Sequence, residues 1–119
     1  MLSLIQFFFL LAFSVIIAGC SKNNSNGSTT INRDCGARTY SYSKDITPII
    51  STHCGACHIN GSNNPNLGNY SSVKSNASKI SATINQSGGA NPMPQGASKL
   101  PDSTITKIDC WIKNGTPNN

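Results

Sequence analysis

Cys54-Gly55-Ala56-Cys57-His58 lies near the middle of a 119-residue chain and spaces two thiols and an imidazole at i, i+3 and i+4. On a helical turn those positions share one face. Two thiols so placed can bond the two vinyl groups of one porphyrin while the imidazole reaches its iron. Gly55 and Ala56 leave nothing bulky at the porphyrin edge. C-x-x-C-H is the attachment signature of a covalent c-type haem. Three other chemistries use similar residues. A thioredoxin-type C-x-x-C needs its first Cys at a helix N-terminus, but here an amphipathic segment precedes the motif. A zinc site needs a second Cys/His pair at finger or ribbon spacing, and the sequence has none. A plain disulfide would leave His58 without a role. His53, next to Cys54, reads as a surface residue.

Three helical segments are expected around this motif. The first spans about Asp45–Cys54, with Asp45 as its cap, Pro48 in its first turn and Ile46, Ile49 and Ile50 on one face. The second spans about Ser71–Gln86, with Val73, Ala77, Ile80 and Ile84 at helical spacing and a break near Asn76. The third spans about Asp102–Asn114, with Ile105, Ile108, Trp111 and Ile112 as its stripe and Gly115 as its C-terminal cap. Asn60–Asn69 and Ser87–Lys99 are rich in Gly, Asn and Pro and read as loops. No run alternates as a strand does, so the class is all-α: about three short helices with long loops. Trp111 is expected to pack the third helix on the first near Ile46 and Ile49.

Tyr42-Ser-Lys-Asp-Ile-Thr-Pro-Ile-Ile, Cys54–His58, Asn91-Pro-Met-Pro and the run from Lys99-Leu to Cys110-Trp-Ile-Lys-Asn-Gly together resemble a small bacterial mono-haem cytochrome c domain. The resemblance covers about Tyr40–Thr116. It implies a cytochrome c-like fold wrapped around one haem c, thioether bonds from Cys54 and Cys57, His58 as proximal iron ligand, and a methionine in a proline-flanked loop as distal ligand. The residues point to the same methionine. Met93 is the one Met after the start residue, and Pro92 and Pro94 hold its loop extended. Tyr42, Tyr70 and Lys99 are candidates for binding the haem propionates.

Met1–Ala18 is an almost unbroken apolar run ending in Ile17-Ala18-Gly19-Cys20. It reads as an export signal over residues 1–19. Its end resembles the lipobox of bacterial lipoproteins, with Cys20 as the lipidated residue. An uncleaved anchor helix is the alternative, because no Lys or Arg precedes the run. Either reading places the remainder outside the cytoplasmic membrane, in the cell envelope facing periplasm or exterior, where disulfides persist. Residues 20–34 then form the lipidated Cys and a polar flexible tether, and residues 35–119 the domain.

Composition agrees with this division. Hydrophobic residues make up 37% of the chain, and all four Phe lie at positions 7–13. The rest is rich in Asn and Ser, with Trp111 and three Tyr as its aromatics. So small and polar a domain needs a further stabiliser besides its core. The net charge of +5 is diffuse, unlike the clustered basic face of a nucleic-acid binder. Of five cysteines, one for lipid and two for haem leave Cys35 and Cys110, which are expected to pair.

The expected function is electron transfer. With His and Met on the iron no substrate enters, and the thioether favours Fe(II). No enzymatic activity is expected: a peroxidase-type site would need distal acid–base groups, and the chain has no Glu. A haem-based gas or redox sensor, or a haem subunit docking on a larger oxidase or reductase, are the alternatives. The expected partners are redox proteins of the envelope and, through the N-terminal lipid, the membrane. The domain itself is expected to be monomeric.

Overall fold

Helical structure begins at Tyr42 in the computed structural model, which describes residues 33–119. The export segment, Cys20 and the tether as far as position 32 lie outside the described residues. A π-helical turn, Tyr42–Ile46, runs into α1 (Thr47–His53) and, across Cys54, into the single turn α2 (Gly55–His58). This start is three residues earlier than the sequence suggested, and the cap is Ser41 rather than Asp45. Ser41 Oγ accepts the Lys44 amide (3.4 Å), and Asp45 Oδ2 accepts the Ser41 amide (2.9 Å). This reciprocal pair satisfies two orphan donors at the helix entrance. Pro48 offers no N–H to the carbonyl four residues back, and the turn just before α1 runs at the wider π spacing.

The second segment divides as expected into α3 (Tyr70–Ser75) and α4 (Ala77–Asn85). Asn69 caps α3 by accepting the Ser72 amide (2.9 Å). At Asn76 both the backbone amide (3.1 Å) and Nδ2 (2.8 Å) turn to the Ser72 carbonyl, the competition with the backbone that disfavours Asn within helices. The third segment is α5 (Asp102–Lys113). Gly115 follows it at φ +87°, and the Thr116 amide reaches back to the Trp111 carbonyl (3.0 Å), closing the helix through a left-handed glycine. Among the described residues there is no strand; the class is all-α.

The core gathers Ile46 and Ile50 from the first run, Val73, Ala77, Ile80 and Ile84 from the second, and Leu100, Ile105, Ile108 and Trp111 from the third. Trp111 is fully buried, and its Nε1–H donates to the Pro117 carbonyl (2.9 Å), which satisfies the one polar atom its burial would strand. It meets the first run through the Tyr42 ring and shares with Ile46 the core cluster against which Ile49 packs. Tyr42 stacks between Trp111 (centroids 5.8 Å) and Tyr70 (5.0 Å, edge to face). The Tyr70 hydroxyl donates to the Thr116 carbonyl (2.8 Å). The aromatics therefore tie the chain's last residues to the α5 side.

Candidate functional site

A cleft of about 310 Å³ opens between α2, α4 and the two long loops. The α4 side supplies Ile80, Thr83 and Ile84, the α2 side Cys54 and His58, the first loop Pro65 and Leu67, and the second loop Met93 and Pro94, with Leu100 behind. Ile80, Ile84, Leu67 and Leu100 are buried although the cleft is open. The walls are thus apolar. Lys79, His53, Asn64, Asn76 and Asn91 are the polar residues that also line it, and no Asp does.

His58 sits on α2 because the helical run restarts after Cys54, whose φ of −120° interrupts α1. The loop after the motif then folds back on it: the Leu67 amide donates to the His58 carbonyl (2.7 Å). This brings the Pro65 carbonyl to His58 Nδ1 at 2.9 Å. A carbonyl only accepts, so Nδ1 carries the proton in the neutral ring. Nε2 is therefore left with a free lone pair, and the bond fixes the ring's orientation. This is the arrangement in which a histidine serves as a metal ligand.

The two motif cysteines are placed differently. Cys54 is half-buried and lines the cleft, and burial pushes its thiol pKa up. Cys57 is exposed and does not line it. The shared face expected from i, i+3 and i+4 spacing holds for Cys54 and His58. Cys57 is rolled toward solvent, because Cys54 belongs to the junction between two helices and not to a continuous turn. Gly61 packs against this turn so closely that a Cβ there would lie 2.6 Å from the Cys57 carbonyl oxygen and 3.0 Å from its Cα.

Met93 lines the same cleft as His58. Its amide donates to the Thr83 carbonyl (3.2 Å), which ties the Pro92–Pro94 loop to α4. His53 is exposed, as expected of a surface residue, yet it also borders the cleft. Tyr42, Tyr70 and Lys99 do not line it; the two tyrosines are held in the Trp111 cluster instead. The cleft's cation is Lys79. Sequence reasoning had no signal for Lys79 beyond its place one residue before Ile80 on α4. It had none for Pro65, whose contribution is a backbone carbonyl.

Among the described residues no three His, Cys, Asp or Glu side chains converge as metal ligands. The donors lining the cleft are the imidazoles of His58 and His53, the Met93 thioether and the Cys54 thiol, with the Cys57 thiol exposed on the adjoining turn. That set suits an iron whose other four ligands come from a porphyrin, and the apolar walls suit the porphyrin's faces. His58, Met93 and Cys54 at the cleft fit a covalent haem, while Cys57 stands exposed outside the cleft lining.

Outside the cleft lining, Cys35 and Cys110 are bonded, with sulfurs 2.01 Å apart. Next to them Asp109 is buried, and Arg33 Nε donates to it at 2.7 Å. Ser81 Oγ (2.6 Å) and Asn85 Nδ2 (3.0 Å) complete its partners. Burial opposes the charge on Arg33, but the hydrogen bonds and charges of Asp109 and Asp102 outweigh it and raise the guanidinium pKa. Arg33 and Asp34 fall within the stretch read as tether, and Arg33 is held against α4 and α5.

No family model, curated protein or solved structure matches the chain.

Proposed function

We propose that residues 35–119 form a mono-haem c-type cytochrome domain that carries electrons in the bacterial cell envelope, held to a membrane by lipid on Cys20. In this reading the fold is cytochrome c-like, Cys54 and Cys57 hold the haem through thioethers, and His58 and Met93 are the iron's axial ligands. The observation that carries the reading is the Nδ1–H of His58 bonded to the Pro65 carbonyl at 2.9 Å, beside an apolar cleft that Met93 also lines. It leaves Nε2 as a ready ligand in a cleft that repels water.

A bound haem would supply a one-electron Fe(III)/Fe(II) couple. The protein's part is to hold it. The Pro65 carbonyl fixes the plane and tautomer of His58. The Thr83 carbonyl holds the Met93 loop through its backbone, so the thioether stays in place in both oxidation states. Leu67, Ile80, Ile84 and Leu100 exclude water, which disfavours the more highly charged oxidised centre. A haem held by both His58 and Met93 would leave no coordination position for a substrate. Redox proteins of the envelope are its partners, and the domain works as a monomer.

Expression in a host that attaches haem tests this reading. The expected product carries one haem that survives denaturation, and its oxidised form shows the methionine–iron charge-transfer band. Met93→Ala loses that band and binds CO when reduced. A wild-type protein without covalent haem would overturn the proposal. A band unchanged in Met93→Ala would remove Met93 from the iron. Strong CO binding by the wild type would favour a gas sensor.

A further inference from the structure

Residues 46–101 contain no carboxylate side chain, and no Asp lines the cleft that they build. Lys79 is the one Lys or Arg on that lining. It forms no ion pair among the described residues, whereas Arg33 is paired with Asp109 and Asp102, and Lys107 with Asp45 (3.6 Å). Lys74 stands over the Tyr70 ring, 5.6 Å from its centroid, and it does not border the cleft. Lys79 belongs to a stripe. Asn76, Lys79, Ile80, Thr83 and Ile84 line the cleft at i, i+3, i+4, i+7 and i+8, the spacing of one helix face. The stripe changes character along its length. Ile80, Thr83 and Ile84 are buried, and the Thr83 hydroxyl donates to the Ile80 carbonyl (2.9 Å). Lys79 is exposed, and the Asn76 Nδ2 is committed to the Ser72 carbonyl (2.8 Å). The wall that α4 offers is thus apolar, with a single charge in its first turn, where the helix dipole is also positive.

We propose that Lys79 is the counter-ion of a haem propionate, holding the carboxylate edge of the porphyrin at the mouth of the cleft. This rests on the haem reading given above. A haem bonded through its vinyl groups keeps two carboxylates. Apolar walls cannot satisfy them, so they must lie where water or a cation reaches. Among the lining residues only Lys79 brings a permanent positive charge. Asn64, Asn76 and Asn91 offer neutral amides, and His53 and His58 are the other lining nitrogen bases. Tyr42, Tyr70 and Lys99 lie outside the lining, so the role falls to Lys79. A lysine suits the border between wall and water, since its stem covers apolar surface while its ammonium stays solvated. The same charge acts on the iron: a fixed cation beside the cleft disfavours the more positive, oxidised centre.

The test treats haem-bearing protein with a water-soluble carbodiimide. The reagent activates a carboxylate, a lysine amine attacks it to form an amide, and the reagent leaves as a urea carrying one carboxylate oxygen and two protons. Mass spectrometry of the tryptic digest is expected to show the haem peptide joined to the peptide that carries Lys79. The Asp45–Lys107 pair should link alongside it. A haem amide at Lys74 or Lys99 in place of Lys79, or no haem amide, overturns the proposal. Lys79→Gln is expected to lose this product and to lower the reduction equilibrium constant at least about twofold, which is about 18 mV for one electron. Lys79→Arg and Lys74→Gln should keep the wild-type potential. An unchanged potential in Lys79→Gln also overturns the proposal. Should Lys79→Gln fail to take up haem, the wild-type cross-link decides alone. A protein mass without haem overturns the haem reading and this proposal with it, whereas haem-bearing protein without the Lys79 amide overturns this proposal only.

Discussion

Replacing Cys35 and Cys110 together by Ala is expected to remove most of the domain's stability. The bridge joins residues 75 apart in sequence. In the chain-entropy relation a loop of that length restricts the unfolded state by about 4.5 kcal/mol at 25 °C. Both cysteines are buried, Cys110 completely, so the missing sulfurs leave small voids that add about 1 kcal/mol. The total, about 5.5 kcal/mol, compares with the ~5–15 kcal/mol that is the usual unfolding free energy of a domain. The assay is guanidinium unfolding of haem-bearing protein, followed by Trp111 fluorescence and by far-UV CD. For a slope of about 2.5 kcal/mol/M the midpoint should fall by about 2 M. Cys35→Ala alone should do nearly the same, since the loop opens when either sulfur is lost. A midpoint shift under about 0.5 M at unchanged slope would refute the reasoning. It would mean that Arg33–Asp109 and the Asn114–Arg38 contact already hold this segment, with the bridge adding little.

Gly61→Ala places a methyl group against the Cys57 backbone, so the loop must move; stability should drop by about 1–3 kcal/mol, and the yield of haem-bearing protein should fall with it. Leu100→Ala hollows the back of the cleft and should cost about 2–4 kcal/mol by denaturant midpoint. In haem-free protein with its disulfide intact, Cys57 should be alkylated before Cys54, because Cys57 is exposed while burial raises the Cys54 thiol; in urea the two should react alike. The same shift sets a pH trend. The unfolded chain gives up the Cys54 proton at lower pH than the folded one, so the haem-free domain should lose stability as pH rises through the thiol range, and Cys54→Ser should flatten that loss.

Much of the helical framework was legible in the chain. The isoleucines of the second and third segments recur at helical spacing, and the folded protein buries Ile80, Ile84, Ile105 and Ile108. Asn76 breaks its helix because its own side chain competes for the Ser72 carbonyl, a property of the residue type. Ser41 and Asp45 are equally good caps by residue type, and which of them serves depends on how the chain enters from residue 40.

The sequence by itself determined the second and third helical segments, their break at Asn76 and their glycine cap, and that two thiols and an imidazole share one short stretch, since those depend on residue type and spacing within a few positions. The tertiary structure alone decided that a proline carbonyl holds His58, that Lys79 is the cleft's cation, that Tyr42 and Tyr70 turn to Trp111, and that Arg33 closes on Asp109 from 76 positions away. A backbone carbonyl has no residue signature. Periodicity tells which side of a helix is apolar, but not which distant segment comes to cover it.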